Sequence, residues 1–257
     1  MKNSWAPLYY GTHTGVEGDL QFYLRSLKSE SKVLDLGCGC GRLTLPLVNA
    51  SHRVTAVDIS EYGLHQLRTR AASYLQTKQL QILQADFRAL SLEVQFDAVI
   101  LSFNAFLCLR ADERSRFLSR ISDLLAPGGL FLFDLYDGAE FFDDAVIADN
   151  DESNEPWVSG PEYVSSVECD GVDFDVYQSG VFDPRAALIT MNYTHFESNS
   201  EEPSTELDYE ITHHLVSFDE LKTSLVMHGF EVLEVIEAQF EGSTHGFFNV
   251  RSTKSNR

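Results

Sequence analysis

Short β-rich runs alternate with helical segments in the first half of this sequence, and this alternation limits the folds open to the chain. Five such runs occupy residues 33–36, 54–59, 80–85, 97–103 and 130–136. The segments between them carry helical spacing, for example at Leu64, Leu67 and Ala71. Strands that alternate with helices predict an α/β fold built on a parallel sheet.

The pattern changes at about Ala139, where helical spacing gives way to extended runs. These runs cover residues 163–168, 172–181, 187–196 and 207–216. Turn signals such as Asp170-Gly171 separate them, which favours an antiparallel meander.

Helical spacing returns at Ser217, whose distance from Glu220 is that of a capping box. Two further strands are predicted at residues 230–237 and 246–250. We therefore predict two parts. Residues 1–138 and 217–257 form the core, and residues 139–216 form an antiparallel β lid inserted into it.

The acidic excess of the chain is concentrated in the predicted lid. The 257 residues include 19 basic and 39 acidic side chains, for a net charge of -20. Between Ala139 and Glu220 there are 21 acidic residues and a single basic one, Arg185. A surface of this sign repels phosphate backbones, so we expect no nucleic-acid partner. We expect most of these carboxylates to face solvent.

Membrane and metal classes also receive no support from the sequence. No apolar run approaches the roughly 20 residues of a membrane span, and the first residues lack the apolar stretch of a signal peptide. Cys38 and Cys40 could supply at most half of a zinc site. We expect a cytoplasmic protein with no membrane partner and no metal.

The most informative stretch is VLDLGCGCGR, which runs from Val33 to Arg42. An apolar strand is followed there by Gly37, Gly39 and Gly41 at alternate positions. Glycines allow a ligand to lie against bare backbone. The dinucleotide fingerprint would need a third glycine where Arg42 stands, and a Walker loop would need Gly-Lys-Ser/Thr.

This glycine pattern, with Asp35 two residues ahead of it, resembles motif I of the class I S-adenosylmethionine-dependent methyltransferases. Asp58 ends the second run, Asp86-Phe87 follows the third, and LLAPGGLFLF leads into the fifth, all of which strengthen the resemblance. It implies a Rossmann-like methyltransferase fold. That fold has a seven-stranded, mostly parallel sheet, here with the antiparallel β insertion as a lid.

The resemblance also implies S-adenosylmethionine as the cofactor and S-adenosylhomocysteine as the product. The methionine end is expected over Gly37 to Gly41, the ribose on Asp58 and the adenine near Asp86-Phe87. The residues expected to bind the cofactor are Tyr9, Tyr10, Asp35, Gly37, Gly39, Gly41, Arg42, Asp58, Ile59, Asp86, Phe87 and Ser102.

The segment after the fourth run indicates the class of acceptor. Nucleic-acid amino-methyltransferases commonly carry Asn/Asp-Pro-Pro there, whereas this chain has Ser102-Phe103-Asn104-Ala105. The segment and the acidic meander are similar to those of small-molecule, amine-type methyltransferases, which implies a small-molecule nitrogen or oxygen acceptor. A peptide or protein N-methyltransferase and a catalytically idle S-adenosylmethionine-binding protein stay open as alternatives. The oligomeric state also stays open, with a homodimer as one option.

Three residues are candidates for catalysis. Asn104 should lie at the end of the fourth strand, beside the methyl donor, and contact the substrate. His195 and His213 are candidate bases for removing a proton from the acceptor. His214 is the alternative to His213, because adjacent residues of a strand point to opposite faces.

Overall fold

The structure of this chain is a computed structural model that describes residues 5–14, 19–138, 156–198, 207–238 and 247–255. The chain divides into two compact units. The core unit combines residues 15–137 with 216–257, and the insertion unit combines residues 1–14 with 138–215. Parts of the predicted lid, residues 139–155 and 199–206, lie outside the described residues.

The helices are α1 (Ala6–Thr12), α2 (Asp19–Ser26), α3 (Thr44–Asn49), α4 (Glu61–Arg70), α5 (Ala72–Gln76), α6 (Ala111–Leu124) and α7 (Phe218–Met227). The strands are β1 (Lys32–Leu36), β2 (Arg53–Asp58), β3 (Leu80–Gln84), β4 (Phe96–Leu101), β5 (Leu125–Tyr136), β6 (Trp157–Val158), β7 (Glu162–Cys169), β8 (Val172–Asp183), β9 (Leu188–Glu197), β10 (Tyr209–His214), β11 (Phe230–Ala238) and β12 (Phe247–Lys254). Short 3-10 helices cover Phe87–Ala89 and Ala105–Cys108.

A seven-stranded sheet in the order β11-β12-β5-β4-β1-β2-β3 forms the centre of the core unit. The strands β5, β4, β1, β2 and β3 are neighbours in this order and pair in parallel. Strand β12 pairs antiparallel with β5 and β11. The strand order reverses at β1, which lies between β2 and β4. The predicted mixed α/β fold with a seven-stranded, mostly parallel sheet is confirmed.

The central strands are buried on both faces, which explains why they read as continuous apolar runs. In β1, Leu34 and Leu36 join one hydrophobic cluster with α6 and α7, whereas Val33 joins a second cluster with α2, α3 and α4. Successive side chains of a strand point to opposite faces, so helices cover both sides of this sheet.

Helix α7 begins as its sequence predicts. The Ser217 hydroxyl accepts a hydrogen bond from the Glu220 N–H, and the Glu220 side chain accepts one from the Ser217 N–H. This reciprocal pair satisfies two N–H groups that a helix start otherwise leaves open. Gly229, just past the helix, has φ of 81°.

The insertion unit contains an antiparallel sheet in the order β10-β9-β8-β6, and β7 also pairs with β8. Its buried residues are Leu8, Val167, Phe174, Val176, Tyr193 and Tyr209. None of the acidic side chains described in this unit is buried. Among the described residues of the whole chain, no helix is long and apolar enough to cross a membrane.

The first residues group with the insertion unit, whereas we predicted them to belong to the core. Helix α1 contacts β7 so closely that a Cβ on Gly11 would lie 2.3 Å from Val167 Cγ1. Leu8 of α1 is fully buried in the hydrophobic cluster of this unit. A short apolar helix packs where its apolar side chains become buried. The sequence of α1 does not show that its packing partner is β7.

Candidate functional site

The glycine loop joins β1 to α3 in the core unit. Gly37, Gly39 and Gly41 all have positive φ, at 69°, 51° and 88°. Residues with a Cβ rarely adopt this backbone conformation. At Gly41 space is also lacking, because an added Cβ would lie 2.4 Å from Leu67 Cδ1. The loop therefore depends on glycine for both its shape and its closeness to α4.

Asp58, at the end of β2, binds the glycine loop directly. Its Oδ2 accepts a hydrogen bond from the Gly39 N–H at 2.7 Å, and its Oδ1 accepts one from the Ser60 N–H at 2.7 Å. Burial raises the pKa of Asp58, and the backbone N–H groups oppose that rise. Each carboxylate oxygen has further acceptor capacity, so the same group can also receive ligand hydroxyls.

Asp35 is enclosed beneath the loop. It is 1 % exposed, and the Thr44 hydroxyl donates to its Oδ2 at 2.5 Å. Burial raises the pKa of Asp35 to about 6. In this conformation Asp35 connects β1 to the first residue of α3, and its role in binding a cofactor stays a prediction.

An ion pair lies at the start of α3, where Arg42 Nη1 donates to Asp19 Oδ1 at 2.7 Å. Arg42 Nη2 lies 3.5 Å from the Ser102 hydroxyl at the end of β4. Asp19 belongs to the first turn of α2 and is 4 % exposed. The structure thus brings the predicted residues Arg42 and Ser102 together and adds Asp19, which sequence reasoning missed.

A second buried group fixes the turn that contains Asn104. Phe103 and Asn104 are consecutive residues with φ of 64° and 56°. Such left-handed residues cost on the order of 1–3 kcal/mol each when they are not glycine. Asp134 holds them: its Oδ2 accepts from the Phe103 N–H at 2.8 Å, and its Oδ1 accepts from the Asn104 N–H at 2.7 Å.

Asp134 is itself held by Tyr23, whose hydroxyl donates to Oδ2 at 2.5 Å. Both residues are fully buried, and burial raises the pKa of Asp134 to about 6. Asn104 Oδ1 is buried and has no hydrogen-bond partner among the described residues. A strained turn with an unsatisfied amide oxygen is the kind of feature found at functional sites.

The residues predicted to contact adenine lie at the end of β3. Asp86 caps the following 3-10 helix and forms an ion pair with Arg88 at 2.7 Å, which lowers the pKa of Asp86. The Phe87 ring packs edge-on against Phe117, with centroids 5.8 Å apart. Ile59 is 64 % exposed. A ligand would therefore meet Asp86 as one half of an exposed ion pair.

The other predicted residues lie in the insertion unit. His195 is fully buried, its Nδ1 lies 3.5 Å from Asp208 Oδ1, and neither ring nitrogen forms a hydrogen bond within the described residues. Burial lowers the pKa of His195, and Asp208 opposes that effect. Burial also lowers the pKa of His213 to about 4.

An aromatic cluster in this unit surrounds His13, a residue that sequence reasoning missed. Tyr9 and Tyr193 ring centroids lie 4.7 and 4.9 Å from that of His13, and the Tyr209 hydroxyl lies 3.2 Å from its Nε2. Burial, with a smaller effect of His195, lowers the pKa of His13 to about 4. The Tyr10 ring packs edge-on against Tyr9.

Several comparisons agree with this geometry. Residues 33–129 match a family model described as a methyltransferase domain. These residues therefore carry a methyltransferase domain. Within it lie β1 to β4, the glycine loop and the strand-end residues Asp58, Asp86 and Asn104.

Among curated proteins, the Streptomyces sp. cypemycin N-terminal methyltransferase is 37 % identical over 110 residues, which are 42 % of this chain and 43 % of that protein. The chain spans about half the length of the curated relatives it matches.

Two solved structures share the fold of the methyltransferase domain and extend over the rest of the chain. An S-adenosylmethionine-dependent methyltransferase from Clostridium acetobutylicum is 17 % identical, with a TM-score of 0.71, and the match covers 99 % of both chains. The amino pentose methyltransferase CalS10 from Micromonospora echinaspora is also 17 % identical, with a TM-score of 0.62 and coverage of 96 % of this chain and 95 % of that one.

Proposed function

We propose that this chain transfers the methyl group of S-adenosylmethionine to a nitrogen or oxygen atom of a small molecule by in-line displacement. The observation that carries the proposal is the hydrogen bond between Gly39 and Asp58 at the reversal of strand order around β1. Ligands of open α/β sheets bind at the carboxyl ends of strands at this point.

The chemistry of the donor set fits this cofactor. S-adenosylmethionine carries an ammonium group, a sulfonium and two ribose hydroxyls, and it has no phosphate. The strand ends offer the carboxylates of Asp58 and Asp86, together with the bare backbone of the glycine loop. Carboxylates accept hydrogen bonds from hydroxyl and ammonium groups.

When bound, the cofactor supplies a methyl group on a positively charged sulfur, with a neutral thioether as the leaving group. The chain then has to hold the acceptor in line with that methyl group, and correct orientation alone can supply much of the acceleration. Asn104 is suited to this task, because Asp134 fixes its backbone and its side-chain oxygen has no other partner among the described residues.

The histidines of the insertion unit are poorly suited to remove the proton of the acceptor. With pKa values of about 4, His13 and His213 are neutral at pH 7 but weakly basic. An efficient general base has a pKa near the working pH. We infer that neither histidine acts as the general base and that the proton leaves to solvent. His195, fully buried, would support the sheet around it.

The insertion unit supports a small acceptor with an amine. Carboxylates beside an amine would stabilise its charged form and hinder attack. The described acids of this unit are not buried, whereas its interior contains the rings of Tyr9, His13, Tyr193 and Tyr209. The described acids of this unit are therefore not buried where they could hold an amine in its charged form.

A peptide amine is the second candidate, favoured by the likeness to the cypemycin N-terminal methyltransferase. Transfer of labelled methyl from S-adenosylmethionine to a panel of amino sugars, small amines, alcohols and peptides with free N-termini separates the two. We expect turnover with a small amine and loss of turnover in Asn104→Ala, whereas Asp112→Asn at an exposed ion pair serves as a control. Turnover confined to peptides would favour the second candidate, and no binding of S-adenosylmethionine would refute both.

A further inference from the structure

One buried side chain holds the turn that carries Asn104. Phe103 and Asn104 have φ of 64° and 56°, a conformation that residues with a Cβ rarely adopt. Such a turn persists only where its surroundings enforce it. The backbone N–H groups of both residues donate to Asp134, at 2.8 and 2.7 Å. The conformation of Asn104 therefore depends on the hydrogen bonds that Asp134 can accept.

The charge of Asp134 decides how firmly it can hold this turn. Its carboxylate accepts three hydrogen bonds, because the Tyr23 hydroxyl also donates to Oδ2 at 2.5 Å. An ionised carboxylate can accept all three, and its charge makes each of them stronger. A proton on either oxygen turns that oxygen into a donor and removes the charge from the remaining bonds. The protonated form of Asp134 therefore holds the turn less firmly.

The groups around Asp134 decide at which pH it gains this proton. In the described part of the chain, the charged and titratable side chains that act on it are Tyr23 and Asp19 of α2 and Arg42 after the glycine loop. Burial raises the pKa of Asp134 to about 6, Asp19 adds to that rise, and the hydrogen bonds from Tyr23 and the backbone oppose it. Arg42 attracts the ionised form. Asp134 therefore changes its charge slightly below neutral pH.

We propose that Asp134 and Tyr23 are positioning residues for methyl transfer, and that only the ionised form of Asp134 holds Asn104 where its side chain can orient the acceptor. This inference rests on the proposed function, in which Asn104 contacts the acceptor. Tyr23 acts by keeping Asp134 ionised down to a lower pH. Methyl transfer should therefore decrease as pH falls through the range in which Asp134 gains its proton.

The backbone N–H of Asn104 reports on the turn without any acceptor. Nuclear magnetic resonance of the full chain, labelled with nitrogen-15 asparagine, follows this N–H from pH 5 to pH 8.5, and its resonance is identified by its loss in Asn104→Gln. An N–H that donates to a carboxylate changes its resonance when that carboxylate is protonated. We expect a midpoint near pH 6 in the native chain. Tyr23→Phe should move the midpoint to higher pH, because the hydroxyl stabilises the charged form of Asp134.

Turnover tests the consequence for transfer. It is measured with labelled S-adenosylmethionine and a small amine that the native chain methylates, as the ratio of variant to native, so that titration of the amine itself cancels. Tyr23→Phe should be slower by about threefold or more at pH 6.5 and within about twofold of native at pH 8.5. Asp134→Asn should be slower by about tenfold or more at both pH values, because a carboxamide has only one acceptor oxygen.

Tyr74→Phe is the matched control. It also removes a tyrosine hydroxyl that donates to a side chain, in this case that of Asn49. It should change neither the midpoint of the resonance nor the turnover at either pH. The pKa of Asp35 is also raised to about 6, but Asp35 is present in every variant. A midpoint that moves in Tyr23→Phe and not in the control therefore belongs to Asp134.

An Asn104 resonance that does not titrate between pH 5 and pH 8.5 would overturn the proposal, and so would equal midpoints in Tyr23→Phe and the native chain. A turnover ratio of Tyr23→Phe that is the same at both pH values would show that Tyr23 only supports the fold. The Tyr23→Phe measurements keep the test decisive if Asp134→Asn does not fold. A native chain that methylates none of the amines would instead refute the proposed function, and the midpoints of the resonance distinguish the two failures.

Discussion

The substitution Tyr23→Phe tests how the core unit supports the Asn104 turn. It removes one hydroxyl, which donates to Asp134 Oδ2 at 2.5 Å, and leaves the ring in place. Both residues are fully buried, so water cannot readily replace the lost donor. Asp134 would keep the N–H groups of Phe103 and Asn104 as its only hydrogen-bond donors among the described residues.

The loss of stability caused by Tyr23→Phe depends on whether Asp134 is charged. A hydrogen bond to a charged group contributes about 1.5–3 kcal/mol, and a neutral one about 1 kcal/mol. Tyr23 lowers the pKa of Asp134 from the higher value that burial alone would give. We therefore expect Tyr23→Phe to reduce the free energy of unfolding by about 1 kcal/mol when Asp134 is protonated, and by about 2–3 kcal/mol when it is ionised.

The pH dependence follows from the raised pKa of Asp134. In the folded chain it is about 6, against roughly 3.9 when unfolded. The folded state thus binds the proton more tightly, and the stability that this provides is complete below pH 4 and lost as pH rises through 6. In the Tyr23→Phe variant the pKa of Asp134 in the folded state lies still higher. The variant therefore continues to lose stability over a wider range of rising pH. The difference between the two proteins should therefore grow from pH 4.5 to pH 7.5.

Urea unfolding followed by circular dichroism at these two pH values measures the difference. The two tryptophans, Trp5 and Trp157, both lie in the insertion unit, so tryptophan fluorescence would report on the wrong unit. Tyr74→Phe is the control, because the Tyr74 hydroxyl donates to the neutral side chain of Asn49. The pKa of Asp35 is also raised to about 6, but Asp35 is present in every variant. Its contribution to the pH dependence therefore cancels when the variants are compared. A pH-independent effect of Tyr23→Phe would refute the reasoning.

Three further predictions concern the loop, its carboxylate and the insertion unit. Asp58→Ala should weaken S-adenosylhomocysteine by about 1.5–3 kcal/mol and Asp58→Asn by less, since Asn keeps one acceptor oxygen; unchanged affinity in calorimetry would exclude Asp58 from the site. Gly41→Ala should destabilise the core unit in urea unfolding by more than Gly171→Ala destabilises the insertion unit, because both residues have positive φ but only Gly41 also meets Leu67. Equal losses would argue against that close approach. His213 has a folded pKa of about 4, below its unfolded value, so it contributes stability above pH 6.5 that is lost as pH falls through 4. His213→Gln should remove about 3 kcal/mol of that acid-induced loss of stability, measured by tryptophan fluorescence, and an unaltered acid transition would count against the assignment.

The sequence predicted the core sheet well because its signals are local. Apolar runs, the glycine loop and the Ser217–Glu220 capping box each occupy a few consecutive residues. The structure placed the sheet strands within a few residues of their predicted bounds, apart from β5, which starts at Leu125 rather than Leu130, and β12, which ends at Lys254 rather than Val250. Helix α1 packs against Val167 of β7, which lies far along the chain, so no local pattern in the sequence indicates this contact.

The supporting residues of the site escaped prediction for the same reason. Tyr23 and Asp134 are 111 residues apart, and no local pattern joins them. One signal was present: Asp134 interrupts the apolar run LFLFDLY, where a charged residue in a buried strand needs partners. Asp19 gave no comparable signal, because an acidic residue at a helix start is usually explained by the helix dipole.

The buried acids of the core unit argue that this part of the fold is not optimised for stability alone. The buried carboxylates among the described residues are Asp19, Asp35, Asp58 and Asp134. All four lie in α2 or near the carboxyl ends of core strands. With pKa values raised to about 6, Asp35 and Asp134 each cost about 3 kcal/mol once ionised. A fold optimised for stability alone would replace such groups, whereas here Asp134 fixes the Asn104 turn and Asp35 connects β1 to α3 beneath the glycine loop.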